Sequence, residues 1–259
     1  VLLSDHAFSI WIRYPYIALL EIYIEGCSLS IAAVSWSGGK DSYLAMHIAC
    51  EKGYRPYYAV HMFVENIVSY HGPPWLLMSQ VGALGITGIF ARTSWEGYEE
   101  DFKAILRRLR SLGVEKMIFG DIYIEAHRQW VDKVCEEVGI EALEPLWGSN
   151  SYEVVKKALE IGVKPLIIRA YDEEPLSKYV GKILDWSAIE DFVRNGIDPA
   201  GEHGEYHTVV IDAPLYRYRI EILDGKIETV EGKFRDKIYR YKVFIPRKYR
   251  YTPKQPFPP

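Results

Sequence analysis

Ile31-Ala32-Ala33-Val34-Ser35-Trp36-Ser37-Gly38-Gly39-Lys40-Asp41-Ser42 decides how this chain is read. An apolar run of strand length opens through two adjacent glycines into a segment with a helical pattern. That order places unpaired backbone N–H groups and the positive end of a helix dipole around an anion such as phosphate. Ser37, Lys40 and Ser42 add side-chain donors, and Asp41 is the natural place for a magnesium ion. The spacing is not that of a Walker A loop, which sets four residues between its first glycine and Gly-Lys. The plain alternative is a glycine-rich turn with no ligand.

Outward from this loop, short apolar runs alternate with amphipathic segments. Strands are expected over 57–63, 86–90, 114–119, 140–143 and 164–170. Helices fit Ser42–Lys52, Leu76–Leu84, Tyr98–Leu112, Glu125–Val138 and Ser151–Ile161, each stopped by a glycine. In the third helix Phe102, Ile105, Leu106, Leu109 and Leu112 fall three or four apart and form one apolar stripe. Alternation of this kind implies parallel pairing and right-handed crossovers, hence an α/β fold with a doubly wound parallel sheet. Ligands bind such sheets beyond the carboxyl ends of the strands, where the order reverses. With the common strand order, the strand before Ser37 neighbours the one ending at Phe119, so Gly120 and Asp121 face the bound group. Asp121 serves equally well as the N-cap of the following helix.

After residue 172 the pattern changes. A helix fits 186–194, followed by a loop from Asp198 to Thr208. Segments 209–212, 216–223 and 226–245 then alternate like antiparallel strands, with Asp224-Gly225 as a hairpin signal. The expected organisation is an extension over 1–29, a nucleotide domain over 30–172, a smaller α+β domain over 173–250 that receives the acceptor, and a tail over 251–259. The final TPKQPFPP is expected to be loose.

Bulk properties bound the function. The 259 residues are 49% hydrophobic and 25% charged, with a formal charge of −4. That balance argues against general nucleic-acid binding, which needs an excess of Lys and Arg, and leaves room for a local basic face. Cys27, Cys50 and Cys135 stand far apart, so neither a zinc knuckle nor a disulfide framework is indicated. Cys50 and Cys135 fall on apolar helix faces and are expected in the core. Residues 8–24 are apolar, but Arg13, Pro15 and Glu21 interrupt them, and no cleavable leader pattern precedes them. A cytoplasmic protein with no membrane span is expected. The extension packs on the body or on another subunit, as in a homodimer.

A second constellation lies in Gly201-Glu202-His203-Gly204-Glu205-Tyr206-His207-Thr208. Glu202 and Glu205, three apart, suit an ammonium or magnesium ion, and His203 or His207 suits proton transfer. A solvated loop capping the smaller domain is the alternative. The spacing of a zinc site is absent.

Together these motifs resemble the diphthine-ammonia ligase family of N-type ATP pyrophosphatases, whose SGGxDS loop matches Ser37–Ser42. The likeness covers about residues 30–222. Its other carriers are Tyr70-His71-Gly72, Thr93 to Tyr98, Gly120-Asp121-Ile122 with His127-Arg128, Glu144-Pro145-Leu146-Trp147-Gly148, and Gly201 to Thr208. The resemblance implies an adenine nucleotide alpha hydrolase-like domain joined to a smaller one across a cleft, with ATP and Mg2+ as cofactors. It also implies that the carboxylate of diphthine on elongation factor 2 is adenylated, pyrophosphate leaves, and ammonia from ammonium displaces AMP. Adenylation supplies the leaving group that a carboxylate lacks.

In that frame Ser37, Gly38, Gly39, Lys40 and Ser42 hold the leaving pyrophosphate and Asp41 holds the metal. Lys40, Asp41, Glu202, Glu205 and His207 are the catalytic candidates. His61, Met62 and Phe63 either contact adenine or fill the core; Gly120 and Asp121 face the nucleotide. His127, Arg128, Trp147, Gly201, Gly204 and Thr208 are candidates for the acceptor side, with Arg128 on a phosphate or carboxylate or else facing solvent. His71 closes over the nucleotide or is a turn residue. Members most firmly tied to diphthamide often read Gly-Ala-Ile with a Tyr-Gln pair, and Gly-Glu-Gly-Gly-Glu, where this chain has Gly120-Asp121-Ile122 with His127-Arg128, and Gly201-Glu202-His203-Gly204-Glu205. That places the chain on a related branch and leaves another carboxylate, or an RNA acceptor, open. A sensor that holds ATP without turnover is the non-enzymatic alternative.

Overall fold

A computed structural model describes residues 9–12, 30–65, 72–234 and 237–254. Its strands are β1 Ser9–Ile12, β2 Ile31–Ser35, β3 Arg55–Val64, β4 Thr87–Thr93, β5 Lys116–Ile118, β6 Glu141–Leu143, β7 Lys164–Tyr171, β8 Tyr206–Asp212, β9 Tyr218–Phe234 and β10 Lys237–Pro253. The helices are α1 Lys40–Glu51, α2 Pro74–Leu84, α3 Tyr98–Ser111, α4 Glu125–Val138, α5 Ser151–Glu160 and α6 Trp186–Arg194. Two compact units divide the chain. One comprises Val1–Ser37, Ser42–Ser69 and Gly85–Trp147; the other comprises Gly38–Asp41, Tyr70–Leu84 and Gly148–Pro259.

The first unit holds the expected parallel sheet, in the order β4-β3-β2-β5-β6, with flanking helices. The order reverses at β2, whose neighbours are β3 and β5, so the ends of β2 and β5 meet as read from the sequence. Ala32, Ala33 and Val34 in β2 are fully buried. Their small volumes suit a central strand covered on both faces. The α3 stripe buries Phe102, Ile105, Leu106 and Leu109 against Val131, Val134, Cys135 and Val138 of α4, whereas Leu112 is exposed. Cys135 is thus a core residue, while Cys50 is half-buried. Of the N-terminal extension, Ser9–Ile12 pairs antiparallel with β4 as a sixth strand. The rest of residues 1–29 lies outside the described residues, as do Tyr70 and His71.

The second unit carries an antiparallel sheet, β8-β7-β10-β9. Here the structure differs from the expected boundary at 172. The run 164–170 is a strand, but β7 pairs with β8 and β10, and the unit already begins at Gly148. A strand after a helix has the same local pattern whichever sheet it joins; only its partners decide. Leu76 of α2 packs with Leu166, Ile168, Val209 and Ile220 in this unit's core.

Asp224-Gly225 is not a hairpin turn. β9 runs through it, with Gly225 opposite Pro246 and Asp224 opposite Lys248 at a register irregularity. Glycine is required there for close approach, because a Cβ on Gly225 would lie 2.3 Å from Cζ of Phe244. Residues 252–254 of the segment expected to be loose are held in place, and 255–259 lie outside the described residues. β10 reaches Pro253, and Lys254 donates from its backbone to Arg217 and from Nζ to Asp212 at 2.8 Å. Replacing Gly225 by Val, despite its strand preference, is expected to destabilise the fold by about 1–3 kcal/mol through overpacking. Phe244→Ala should then relieve the loss in the double variant, read from the two denaturation midpoints.

Candidate functional site

In the first unit, β2 ends against β3 through Trp36 N–H donating to the Val60 carbonyl at 2.7 Å. The Trp36 carbonyl in turn lies 2.7 Å from Nδ1 of His61, which fixes that ring with Nδ1 protonated as donor. Burial pushes the His61 pKa down to about 4, only partly offset by this bond. His61 is therefore a neutral strut at the end of β2. Ser37 Oγ donates to Ser42 Oγ at 3.0 Å, so the two hydroxyls bracket the loop. At the carboxyl ends of β3 and β4, a cavity of about 320 Å³ is lined by Phe63, Val64, Glu65 and Arg92. Among the three residues read as adenine contacts, Phe63 lines it, whereas His61 and Met62 do not.

Gly120 and Asp121 follow β5. Asp121 Oδ1 lies 3.0 Å from Nδ1 of His127, and the helix following Asp121 starts with Ile124 as its N-cap residue. Asp121 is therefore not that helix's cap. Arg128 faces Glu144 at 3.7 Å and Asp132 at 3.6 Å, with its guanidinium 4.8 Å from the Trp147 ring centre. Burial, then Asp121 and Asp132, push the Glu144 carboxyl up to about 7 against the pull of Arg128.

In the second unit, the loop tip Gly38–Asp41 is held by β8 and α2. The Gly38 carbonyl accepts from Val210 N–H at 2.9 Å and from Gln80 Nε2 at 2.8 Å. Gly38 has φ +80°, and an added Cβ would lie 2.4 Å from Leu77 and 2.5 Å from Gln80, so only glycine fits. Lys40 N–H, the first amide of α1, donates to Thr208 Oγ1 at 3.1 Å. One of the amides expected to face an anion is thus capped by a distant hydroxyl.

The Lys40 side chain is 3% exposed and does not reach into solvent. Its ammonium donates to the Ala200 carbonyl and to Asp41 Oδ2, and lies 4.9 Å from the Tyr206 ring centre. Burial alone lowers its pKa, but Asp41 and Tyr206 together raise it above the ordinary lysine value. The ammonium stays charged. Burial holds the Asp41 carboxyl above its usual range, opposed by Lys40. Asp41 Oδ1 is buried without a hydrogen-bond partner.

The second loop is braced by a residue that motif reading missed. Asp198 accepts from the N–H groups of Ala200 and Glu202 at 3.2 and 2.9 Å. Gly201, at φ +72°, sits against the Tyr206 ring, and Glu205 Oε2 accepts from His203 N–H at 3.0 Å. The strand pleat places Tyr206 and Thr208 on one face and His207 on the other. Lys40, Asp41, Glu202, Gly201 and Thr208 are brought together; His207 is not on their side of β8. Gln80 was also missed. A glutamine beside Ser79 in the mostly apolar Leu76–Leu84 segment, here fully buried, was the available signal.

A parallel α/β unit with a strand-loop-helix at its switch point, and a second unit built on an antiparallel sheet, define an α/β protein of two units. The sequence comparisons agree on one family. Residues 30–142 match the diphthamide synthase N-terminal domain and residues 150–243 the diphthamide synthase C-terminal domain. The chain belongs to the diphthamide synthase family. Curated relatives named diphthine–ammonia ligase include one from Homo sapiens, 30% identical over 142 residues (52% of this chain, 53% of that one), and one from Bos taurus, 28% identical over 144 residues (53% and 54%). The chain spans about half the length of these curated relatives. A solved structure titled as a predicted subunit of tRNA methyltransferase from Methanocaldococcus jannaschii aligns over 72% of this chain and 100% of that one, at 16% identity and a TM-score of 0.39.

Two outcomes follow from this geometry. Lys40→Met strands the Asp41 carboxylate and the Ala200 carbonyl and should cost about 3–5 kcal/mol, the usual effect of breaking a buried pair, measured by urea denaturation. Because His61 is neutral in the fold down to about 4 but protonates near 6.5 when unfolded, its contribution is full above 6.5 and lost as pH falls towards 4. A His61→Asn variant should show a flatter melting temperature across that window.

Proposed function

We propose that this protein is an ATP-dependent, AMP-forming carboxylate–ammonia ligase that acts on diphthine of elongation factor 2. The reading is carried by the buried attachment of the loop tip Gly38–Asp41 to Thr208 and Ala200, which joins the two sequence constellations at one place. The names of the curated relatives and the match to both diphthamide synthase domains support it.

ATP binds with its adenine beside Phe63 and its phosphates at Ser37, Gly39 and Ser42. Magnesium fits Asp41 because one carboxylate oxygen lacks a hydrogen-bond partner, and magnesium commonly takes one or two carboxylates plus phosphate oxygens. Among the described residues no cluster of three or more ligating side chains forms a closed metal cage. When bound, the metal neutralises charge as pyrophosphate leaves. Lys40 keeps Asp41 and the Ala200 carbonyl in register. Glu202 and Glu205 serve the acceptor and ammonium, and Asp198 holds their loop.

Purified protein incubated with ATP, magnesium and ammonium should release AMP and pyrophosphate only when diphthine-bearing elongation factor 2 is present. ADP and phosphate as products, or no turnover, would sink the ligase reading; AMP formed only with another carboxylate would retain the chemistry and replace the substrate. Asp41→Ala should lower turnover by roughly 100-fold or more. Glu205→Ala should lose turnover while ATP still binds, checked by equilibrium dialysis.

A further inference from the structure

The strand β9 is 17 residues long and stands at the outer edge of the antiparallel sheet, ordered β8-β7-β10-β9. Among the described residues it pairs with β10 alone. The register irregularity near Pro246 and Lys248 leaves β9 itself unbroken. A long edge of this kind offers a row of backbone donors and acceptors to another extended strand. Its side chains alternate. Arg219, Leu223, Ile227, Thr229 and Glu231 are exposed, whereas Ile220 is buried and Ile222 half-buried in the sheet's core. Leu223 and Ile227, on either side of Gly225, are 47% and 52% exposed.

Charge decides which strand can pair there. Outward from Gly225, Asp224 mirrors Lys226, Leu223 mirrors Ile227, Ile220 mirrors Val230 and Arg219 mirrors Glu231. In an antiparallel pair of two copies with a twofold axis at Gly225, each residue lies directly opposite its mirror. Asp224 then meets Lys226 and Arg219 meets Glu231, each twice. Leu223 and Ile227 of both copies close into one apolar patch around the axis. Glu221 and Glu228 fall opposite Thr229 and Ile222, so no like charges are opposed. Moving the axis by one residue sets Asp224 against Asp224 or Lys226 against Lys226. Like charges directly opposite destabilise a strand pair, so the pattern specifies this register.

We propose that two copies of this chain associate through β9, edge to edge and antiparallel, with the twofold axis at Gly225. The pairing joins the two antiparallel sheets into one and adds about a dozen ladder hydrogen bonds over residues 219–231. Within one copy Lys226 pairs with Glu228, Arg219 with Asp212 at 3.8 Å and Glu231 with Arg240 at 4.0 Å. Such solvated pairs exchange partners at little cost. Charges that keep the edge from indiscriminate pairing thereby select its own copy.

The test is sedimentation equilibrium of the full chain without ATP. One copy has a mass of 29.9 kDa, and the particle should have twice that at about 100 µM. Asp224→Lys and Lys226→Asp should each weaken the dimer by about tenfold or more, since each sets like charges opposite one another twice. Mixed in equal amounts, the two variants should recover a dimer with one copy of each, because each supplies the charge the other lacks. Arg219→Glu and Glu231→Arg repeat the exchange at the outer pair, on side chains 50% and 66% exposed, and serve if either inner variant fails to fold. A monomer at that concentration, a dimer unmoved by the single reversals, or folded variants whose mixture recovers nothing overturns the pairing.

Discussion

A buried ammonium governs the loop region. Removing the Lys40 charge from water is costly, and the cost is met only if every one of its donors finds a partner. The Ala200 carbonyl, the Asp41 carboxylate and the Tyr206 ring supply them. Each partner is thereby fixed: Asp41 at the start of α1, Ala200 in the loop before β8, Tyr206 as the first residue of β8. Remove the charge and three separate stretches of backbone lose their common reference.

This changes the meaning of a lysine in a glycine-rich loop. In sequence, Lys40 looks like a cation offered to phosphate. In the fold its charge is already committed, and its backbone N–H is taken by Thr208. What the loop leaves without a hydrogen-bond partner is one oxygen of Asp41. Gly38 shows why no other residue stands there, since its carbonyl is read by Val210 and Gln80 while its missing side chain lets Leu77 approach.

Local pattern made most of the parallel sheet legible. The stripe of Phe102, Ile105, Leu106 and Leu109, and the glycines that stop each helix, are properties of the chain near each residue. The adjacency of β2 and β5 followed from a topological rule with few alternatives. Long-range choices were not legible. β7 looks like any strand after a helix, and Asp224-Gly225 looks like a turn until Phe244 is seen to need the space above Gly225. The loop motifs singled out Lys40, Asp41 and Thr208, but nothing in their spacing reveals that Lys40 is inward or that Thr208 takes its backbone N–H. Asp198 acts through backbone atoms of its own loop and Gln80 through those of distant segments, roles that leave little trace in sequence beyond a glutamine in a mostly apolar helix.

The two ionisable centres differ in how their charges are balanced. At Lys40 the cation is enclosed and matched, so its protonation does not vary across the physiological range and its work is geometric. At Glu144 the acids outnumber the guanidinium, and the carboxyl is left near neutrality, where a modest change in its surroundings alters its charge. Matched buried charge fixes both its partners and its own protonation; unmatched charge at a strand end leaves the protonation to its surroundings. The same sequence therefore holds two differently balanced centres that a motif reading does not tell apart, one matched within the glycine loop and one unmatched at the ends of β5 and β6.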